Sequence, residues 1–147
     1  MKKVILIPLM ASSALMACQQ SNETTSQTAI EVQQQTPKWV GQYAGSTPCM
    51  GCLSRCEDCP GMAVALTLYP NQSFELLRES LSGHNAVERV TGTIRFRDDS
   101  GQQIELLNVS TRNLIFVNLK DQPLEIREDQ TGKKYQMQSD FILPKAI

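Results

Sequence analysis

Residues 62–74 read MAVALTLYPNQSF, an alternating segment followed by a turn and the start of a second segment. Every second residue from Met62 to Leu68 is large and apolar, which places these side chains on one face of a β-strand. Pro70-Asn71-Gln72 is a turn signal, and Phe74 begins the returning strand. The stretch therefore predicts an antiparallel hairpin with one buried face.

Similar short segments occur on both sides of this hairpin. Turn residues separate them, and the clearest loop is Asp98-Asp99-Ser100-Gly101. The predicted strands cover residues 39–44, 62–69, 74–78, 88–97, 103–109, 114–119, 124–127 and 134–143. About eight short strands at roughly ten-residue spacing, without a competing helical period, predict an all-β fold. We expect a small up-and-down meander that is closed or nearly closed into a β-barrel, with a two-sheet sandwich as the alternative.

The alternation within these segments also predicts which side chains face the interior of the barrel. An eight-stranded barrel has an interior that side chains just fill, or that holds one small ligand. The residues predicted to face inward are Val64, Leu66, Leu68, Ile94, Phe96, Ile104, Leu106, Leu114, Phe116, Leu124, Ile126 and Phe141.

The first eighteen residues resemble a bacterial lipoprotein signal peptide. Two lysines precede an apolar stretch of about a dozen residues, which is too short to span a bilayer. The stretch ends in Leu15-Met16-Ala17-Cys18, which resembles a lipobox. Residues 1–17 are therefore the expected signal peptide, and Cys18 is the expected diacylated first residue of the mature chain. Cleavage at an ordinary small-residue site, with Cys18 incidental, is the alternative. Gln19, rather than Asp, after the cysteine favours sorting to the outer membrane.

Residues 18–37 form the expected tether. After Cys18 this segment consists mainly of Gln, Ser and Thr, and it carries too little apolar surface to offset the entropy of ordering it. The folded domain is then residues 38–147. We expect the lipid to hold this domain at the outer membrane, either facing the periplasm or exposed at the cell surface.

The composition removes several classes of function. A formal net charge of -1 provides no basic surface for nucleic acid, so we expect no nucleic-acid partner. The single histidine, His84, excludes sites that need two histidines; it lies in a polar loop, where we expect it to be solvated. Five cysteines in a chain of 147 residues are the unusual feature, and lipidation of Cys18 would leave four.

The four remaining cysteines lie within eleven residues and form two C-x-x-C pairs, Cys49/Cys52 and Cys56/Cys59. In an oxidising envelope the simplest interpretation is two disulfides, for which three connectivities are open. The second interpretation is a soft-metal site, since thiolates bind Cu(I) and Zn(II) and the thioethers of Met50 and Met62 would suit Cu(I). The third is thiol–disulfide catalysis, which would require a helix that the sequence does not predict.

Three segments of the chain together resemble the N-terminal domain of the NlpE family, outer-membrane lipoproteins named for copper resistance and for activating the Cpx envelope-stress response. The segments are residues 39–45 (WVGQYAG), 56–62 (CEDCPGM) and 66–74 (LTLYPNQSF). The family motif is Tyr-x-Gly, then Pro-Cys-x-x-Cys-x-Gly-Ile, then an alternating strand and a turn into a Phe strand. The second pair, Cys56/Cys59, matches the family's C-x-x-C, and the first pair is additional, either inserted or duplicated.

The resemblance implies a single-domain, lipocalin-like β-barrel on a lipid anchor, and not an enzyme. It implies a role in copper tolerance or envelope-stress sensing through the loop that carries the four cysteines, with copper(I) as the candidate metal. The expected partners are the membrane, through the lipid, and an envelope-stress sensor protein. Two other functions stay open. One is a binding module for a small apolar ligand. The other is a structural surface lipoprotein in which disulfides only hold the loop closed.

Overall fold

The structure, a computed structural model, describes residues 35–83 and 87–146; the signal peptide, Cys18, most of the tether and His84 lie outside these ranges. The described part contains a 3₁₀ helix at Gln138–Phe141 and eight strands. The strands are β1 (Gly41–Thr47), β2 (Met62–Leu68), β3 (Ser73–Ser80), β4 (Glu88–Phe96), β5 (Gln103–Leu106), β6 (Leu114–Val117), β7 (Leu124–Ile126) and β8 (Ile142–Leu143). They pair in chain order, each antiparallel to the next, which confirms the predicted all-β meander. Within the described ranges, no helix is both long and apolar enough to cross a membrane.

The sheet closes on itself between its first and last strands. The N–H of Ala44 donates to the carbonyl of Pro144 at 3.1 Å, and the N–H of Ala146 donates to the carbonyl of Gln42 at 2.7 Å. Elsewhere in the wall, β4 pairs with β3 along most of its length but with β5 over only three residues. The result is a nearly closed barrel, and the sandwich alternative does not apply.

Alternate residues of β2, β4, β5 and β7 fill the interior as predicted. The inward positions that the structure confirms are Val64, Leu66, Leu68, Ile94, Ile104, Leu106, Leu124, Ile126 and Phe141. The core also contains Tyr43, Phe74, Leu76, Val109 and Leu143, which the alternation did not single out. Tyr43 is fully buried and donates its hydroxyl to the carbonyl of Trp39 at 2.8 Å. Burial raises the pKa of Tyr43 to about 12.

The predicted inward face of β6 is wrong. Ile115 and Val117 pair with inward residues of β5 and β7 and enter the core, whereas Leu114 and Phe116 lie on the other face. Leu114 is nevertheless buried, and the ring of Phe116 is covered by Arg127, whose Cζ atom lies 4.5 Å from the ring centroid. Four consecutive apolar residues fit either phase of a strand, so the pattern alone does not fix the register.

The last predicted strand, residues 134–143, is mostly not a strand. Only β8 pairs with β7, and the 3₁₀ helix precedes it. Asp140 in this helix accepts a hydrogen bond from the backbone N–H of Arg55 at 3.0 Å, a contact between distant parts of the chain that a local pattern does not show. The helix turns Phe141 into the core, where its ring stacks on Tyr135 with the centroids 3.8 Å apart.

The up-and-down topology separates the connections into two groups at the two ends of the barrel. One end, called the cysteine end below, carries the described connecting residues 48–61, 81–83, 87, 107–113 and 127–137. The chain enters β1 at the opposite end, where Trp39 packs edge-on against Phe96 with ring centroids 5.4 Å apart. Phe96, predicted to face inward, is therefore only half-buried at this rim. The cysteines lie at the end of the barrel opposite to the one at which the chain enters β1.

Side chains fill the interior of the barrel at the cysteine end. The apolar space left between Val64, Ile115 and the loop residue Met50 is about 10 Å³, close to the minimum that one water molecule needs. This part of the core leaves no room for a small apolar ligand.

Candidate functional site: the cysteine loop

Residues 48–61, called the cysteine loop below, fold as two tight turns, one for each C-x-x-C pair. The N–H of Cys52 donates to the carbonyl of Cys49 at 3.0 Å, and the N–H of Cys59 donates to the carbonyl of Cys56 at 3.3 Å. Gly51 occupies the third position of the first turn with a φ of 85°, the left-handed conformation that a type II turn requires there. Neither pair opens a helix, so neither has the helix N-terminus that activates the thiols of thioredoxin-like proteins.

One disulfide joins the two turns. It connects Cys49 to Cys59, whose Cα atoms are 6.8 Å apart. Cys52 is half-buried and Cys56 is exposed, and both are free thiols. Two disulfides were expected, and the structure forms one. Of the three connectivities that the sequence left open, only the nested one contains this bond, with Cys52 and Cys56 as the remaining pair.

Arg112 holds the first turn against the barrel. It lies in the connection between β5 and β6, and only 7% of its surface is exposed. Its guanidinium donates four hydrogen bonds of 2.7 to 3.2 Å to neutral oxygens of the chain around the first turn. The acceptors are the hydroxyl of Thr47 and the carbonyls of Pro48, Cys49 and Cys52. One distant side chain therefore fixes the conformation of the backbone that carries both cysteines of the first pair.

The Arg112 guanidinium donates its hydrogen bonds to uncharged oxygens of the loop and not to a carboxylate. Asp129, the nearest carboxylate, accepts hydrogen bonds from the backbone N–H groups of Arg112 and Asn113, at 2.6 and 2.9 Å, rather than from the guanidinium. Burial lowers the pKa of Arg112, while the nearby Tyr135 raises it. The guanidinium also lies over the ring of Phe141, with Cζ 5.1 Å from the centroid. The first turn is therefore held by a buried cation whose hydrogen bonds to the turn involve no carboxylate.

Arg55 holds the segment between the two pairs. Its backbone N–H donates to the Asp140 carboxylate at 3.0 Å, and its Nε lies 3.3 Å from the same carboxylate. Its Nη2 donates to the carbonyl of Ser46 at 2.6 Å. Leu53 lies between Cys52, which Arg112 contacts, and Arg55, and it is 69% exposed. The second turn, beyond Arg55, is the more exposed of the two, and the disulfide at Cys59 ties it back to the first turn.

Gly61 allows the chain to return from the loop into β2. Its φ is 86°, and a Cβ atom at this position would lie against the carbonyl oxygen of Thr47, inside van der Waals contact. Its own carbonyl accepts a hydrogen bond from the N–H of Leu81 at 3.0 Å, which links the cysteine loop to the connection between β3 and β4. Only glycine satisfies both the conformation and the close approach.

The sulfur atoms of the loop do not converge on one point. Met50 and Met62 line an open cavity of about 530 Å³ together with the disulfide and the buried Arg78. Cys52 lines a different cavity of about 210 Å³, beside Arg112 and Tyr135. Among the described residues, no three cysteine, histidine or acidic side chains are grouped as metal ligands. With one disulfide in place, a four-thiolate copper site requires that bond to be reduced first.

The two halves of the nested cysteine arrangement should differ in their effect on stability. Replacing Cys49 and Cys59 together with serine removes a bond across ten residues, and we expect the free energy of unfolding to fall by about 2.5 kcal/mol. Replacing Cys52 and Cys56 with serine is the matched control, and it should change stability by less than about 0.5 kcal/mol. Urea unfolding of both double variants measures the difference. Equal losses would show that the Cys49–Cys59 bond does not carry this stabilisation.

The sequence and the fold are both similar to those of known proteins. A family model described as NlpE N-terminal domain matches residues 43–138, a range that contains the whole cysteine loop, Arg112 and Phe116. Among solved structures, the chain is similar to a "putative lipoprotein" from Shewanella oneidensis, with 28% sequence identity and a TM-score of 0.57. The alignment covers 73% of this chain and 88% of that chain. No curated protein matches.

Proposed function

We infer the function of this chain from its family: it belongs to the NlpE N-terminal domain family and is an envelope lipoprotein. We propose that it is anchored in the outer membrane through a lipid on Cys18. We propose further that the cysteine loop serves copper tolerance or envelope-stress sensing and that the chain catalyses no reaction. The observation that carries this proposal is the Cys49–Cys59 disulfide, which closes a loop that still holds two free thiols.

The donor set of the reduced loop suits copper(I). Reduction of the Cys49–Cys59 bond would give four thiols within eleven residues, and the thioethers of Met50 and Met62 already line the cavity beside that bond. Thiolates and thioethers are soft ligands that select Cu(I). The four thiols would hold the metal, Arg112 would keep the first turn in place, and Arg55 would hold the segment between the two turns. The oxidation state of the loop would thus decide whether a complete set of thiolate ligands is present.

The cysteine end of the barrel also suits contact with a protein partner. Exposed large apolar side chains concentrate on its connections: Met50, Leu53, Leu81, Val87 and Met137. Exposed apolar patches on a protein surface mark sites of interaction with other proteins or with membranes. The chain enters β1 at the opposite end of the barrel, so this surface is not the one beside the entry of the chain. An envelope-stress sensor protein is the partner that we propose for it.

Anaerobic titration with copper(I) tests the metal part of the proposal. The full chain, in detergent, is titrated in reduced and in air-oxidised form against a competing chelator. We expect the reduced protein to bind at least about tenfold more tightly than the oxidised protein, because oxidation removes two of the four thiolates.

Two variants serve as controls for this titration. A variant with serine at positions 49, 52, 56 and 59 should bind no more tightly than the oxidised protein. A second variant, Met50→Leu with Met62→Leu, keeps the thiols and shows whether the thioethers contribute. If neither form of the unmodified chain binds more tightly than the four-serine variant, the metal part of the proposal fails.

A further inference from the structure

We propose that Cys52 is the attacking thiol of an internal thiol–disulfide exchange, which moves the disulfide from Cys49–Cys59 to Cys49–Cys52. This inference deepens the redox part of the proposed function, on which its biological meaning rests. It identifies the nucleophile, the sulfur that it attacks and the pair of thiols that the exchange releases.

The first turn brings Cys52 within bonding range of Cys49. The N–H of Cys52 donates to the carbonyl of Cys49 at 3.0 Å, which closes a four-residue turn. Such turns hold their first and last Cα atoms within about 7 Å, and disulfides join cysteines whose Cα atoms are up to about 7 Å apart. Cys49 is already half of a disulfide, so the turn holds Cys52 at a backbone distance from which its thiol can bond to Cys49.

Arg112 places a cationic group in the same cavity as Cys52. Cys52 is half-buried in the cavity that also contains Arg112 and Tyr135, and the guanidinium of Arg112 donates to the Cys52 carbonyl at 3.1 Å. The hydrogen bonds of that guanidinium to the loop all go to neutral oxygens, and the carboxylate of Asp129 also lines the cavity. Cationic surroundings are what activates cysteines for exchange.

Cys56 is the matched comparison within the same loop. It also closes a four-residue turn with Cys59, the other half of the disulfide, and the N–H of Cys59 donates to its carbonyl at 3.3 Å. It is, however, solvent-exposed and lies in a turn that neither Arg112 nor Arg55 contacts through a described hydrogen bond. Spacing alone would allow either free thiol to attack; the position of Arg112 assigns the role to Cys52.

The exchange balances without an external oxidant or reductant. The thiolate of Cys52 forms a bond to Sγ of Cys49, and the bond between Cys49 and Cys59 breaks. The electron pair of that bond leaves on Sγ of Cys59, which takes up the proton that Cys52 gave up. The protein has one disulfide and two thiols before the step and after it.

The product differs from the starting state in what the loop exposes. The starting bond spans ten residues and ties the second turn to the first, whereas the new bond closes only the first turn. Cys56 and Cys59 then form a free C-x-x-C dithiol on a turn that is attached to the barrel only through Arg55 and the return at Gly61. The outer bond is the one that the structure shows, and the protein with this bond is called the resting isomer below.

Trypsin distinguishes the two isomers because it cleaves after Arg55, between the two cysteine pairs. The pairs lie on separate tryptic peptides, residues 39–55 and 56–78. The resting isomer gives these peptides cross-linked. The exchanged isomer gives a separate 39–55 peptide with an internal disulfide and a 56–78 peptide with both thiols alkylated.

The full chain, air-oxidised and in detergent, is incubated anaerobically at pH 8 without added thiol. Samples are quenched in acid, and their free thiols are alkylated. The samples are then digested with trypsin and analysed by mass spectrometry. We expect separate peptides to accumulate in the unmodified chain and in Cys56→Ser, and at least about tenfold more slowly in Cys52→Ser. If separate peptides never accumulate in the unmodified chain, or if Cys56→Ser abolishes them while Cys52→Ser does not, the proposal is overturned. Because no copper and no signalling partner are present, failure here is distinct from failure of the copper titration.

Discussion

Replacing Gly61 with alanine is expected to lower the free energy of unfolding by about 3 kcal/mol, more than any other single change within the cysteine loop. The left-handed φ of 86° costs an alanine about 1 to 2 kcal/mol. The added methyl group would in addition overlap the carbonyl oxygen of Thr47. That oxygen belongs to the buried end of β1, which has little freedom to move away.

Gly51 provides the control for this prediction. Its φ of 85° matches that of Gly61, but no atom lies within 4 Å of the position that a Cβ would occupy. Gly51→Ala should therefore lose only the conformational part, about 1 kcal/mol. Urea unfolding of the two variants separates strain from crowding. Equal losses in the two variants would show that the contact with Thr47 relaxes without cost.

The fold could be predicted from the sequence wherever polar residues alternate with apolar ones or interrupt them. The alternation in β2 fixes its buried face, and Asp98 at the predicted hairpin loop accepts hydrogen bonds from the N–H groups of Gln102 and Gln103 at 3.1 and 2.8 Å. The prediction failed at β6, where four consecutive apolar residues do not indicate which of them face the interior. There the register is set by pairing with β5 and β7, which is tertiary information.

The candidate site could be predicted only in part. The spacing of the cysteines identified the loop, but not that the first and last of them would bond. The bonded cysteines are Cys49, which follows Pro48, and Cys59, which precedes Pro60-Gly61. Cys49 thus matches the Pro-Cys that begins the family motif, and Cys59 matches the Cys-x-Gly that ends it. Residues 50–58 then occupy the place of the two-residue spacer, which favours an insertion over a duplication.

Arg112 had no signal in the sequence. It lies in Ser110-Thr111-Arg112-Asn113, a polar connection of a kind that is usually solvated, 60 and 63 residues from the two cysteines that it contacts. Its burial follows from the closure of the barrel, which brings the connection between β5 and β6 to the same end as the cysteine loop. A contact of this kind depends on topology, and local sequence patterns do not encode it.

These contacts show how the loop and the barrel are coupled. The barrel is held by its apolar core, whereas the cysteine loop is attached mainly by hydrogen bonds from two arginines and by one disulfide. A change in the disulfide can therefore rearrange the loop without opening the core. The arginine contacts then decide which part of the loop stays fixed, and Arg112 fixes the first turn.

Replacing Arg112 with methionine, which is of similar length but uncharged, is expected to lower the free energy of unfolding by about 3 to 5 kcal/mol. The variant would leave buried acceptors without donors around the first turn, and each unsatisfied buried group costs about 1 to 3 kcal/mol, although such costs do not add fully. Arg112→Lys should lose less, because an ammonium retains the charge but cannot reach all four acceptors with one planar group.

Arg95 is the matched control, since its guanidinium pairs with Glu105 at 2.6 Å but its side chain is 58% exposed. Arg95→Met should change stability by less than about 0.5 kcal/mol, as is usual for exposed ion pairs. Urea unfolding measures both variants, and alkylation of Cys52 under native conditions reports the turn itself. We expect Arg112→Met to speed that alkylation, because the turn opens when its carbonyls lose their donor. A variant that is as stable as the unmodified chain, with Cys52 no more accessible, would show that the disulfide alone holds the first turn in place.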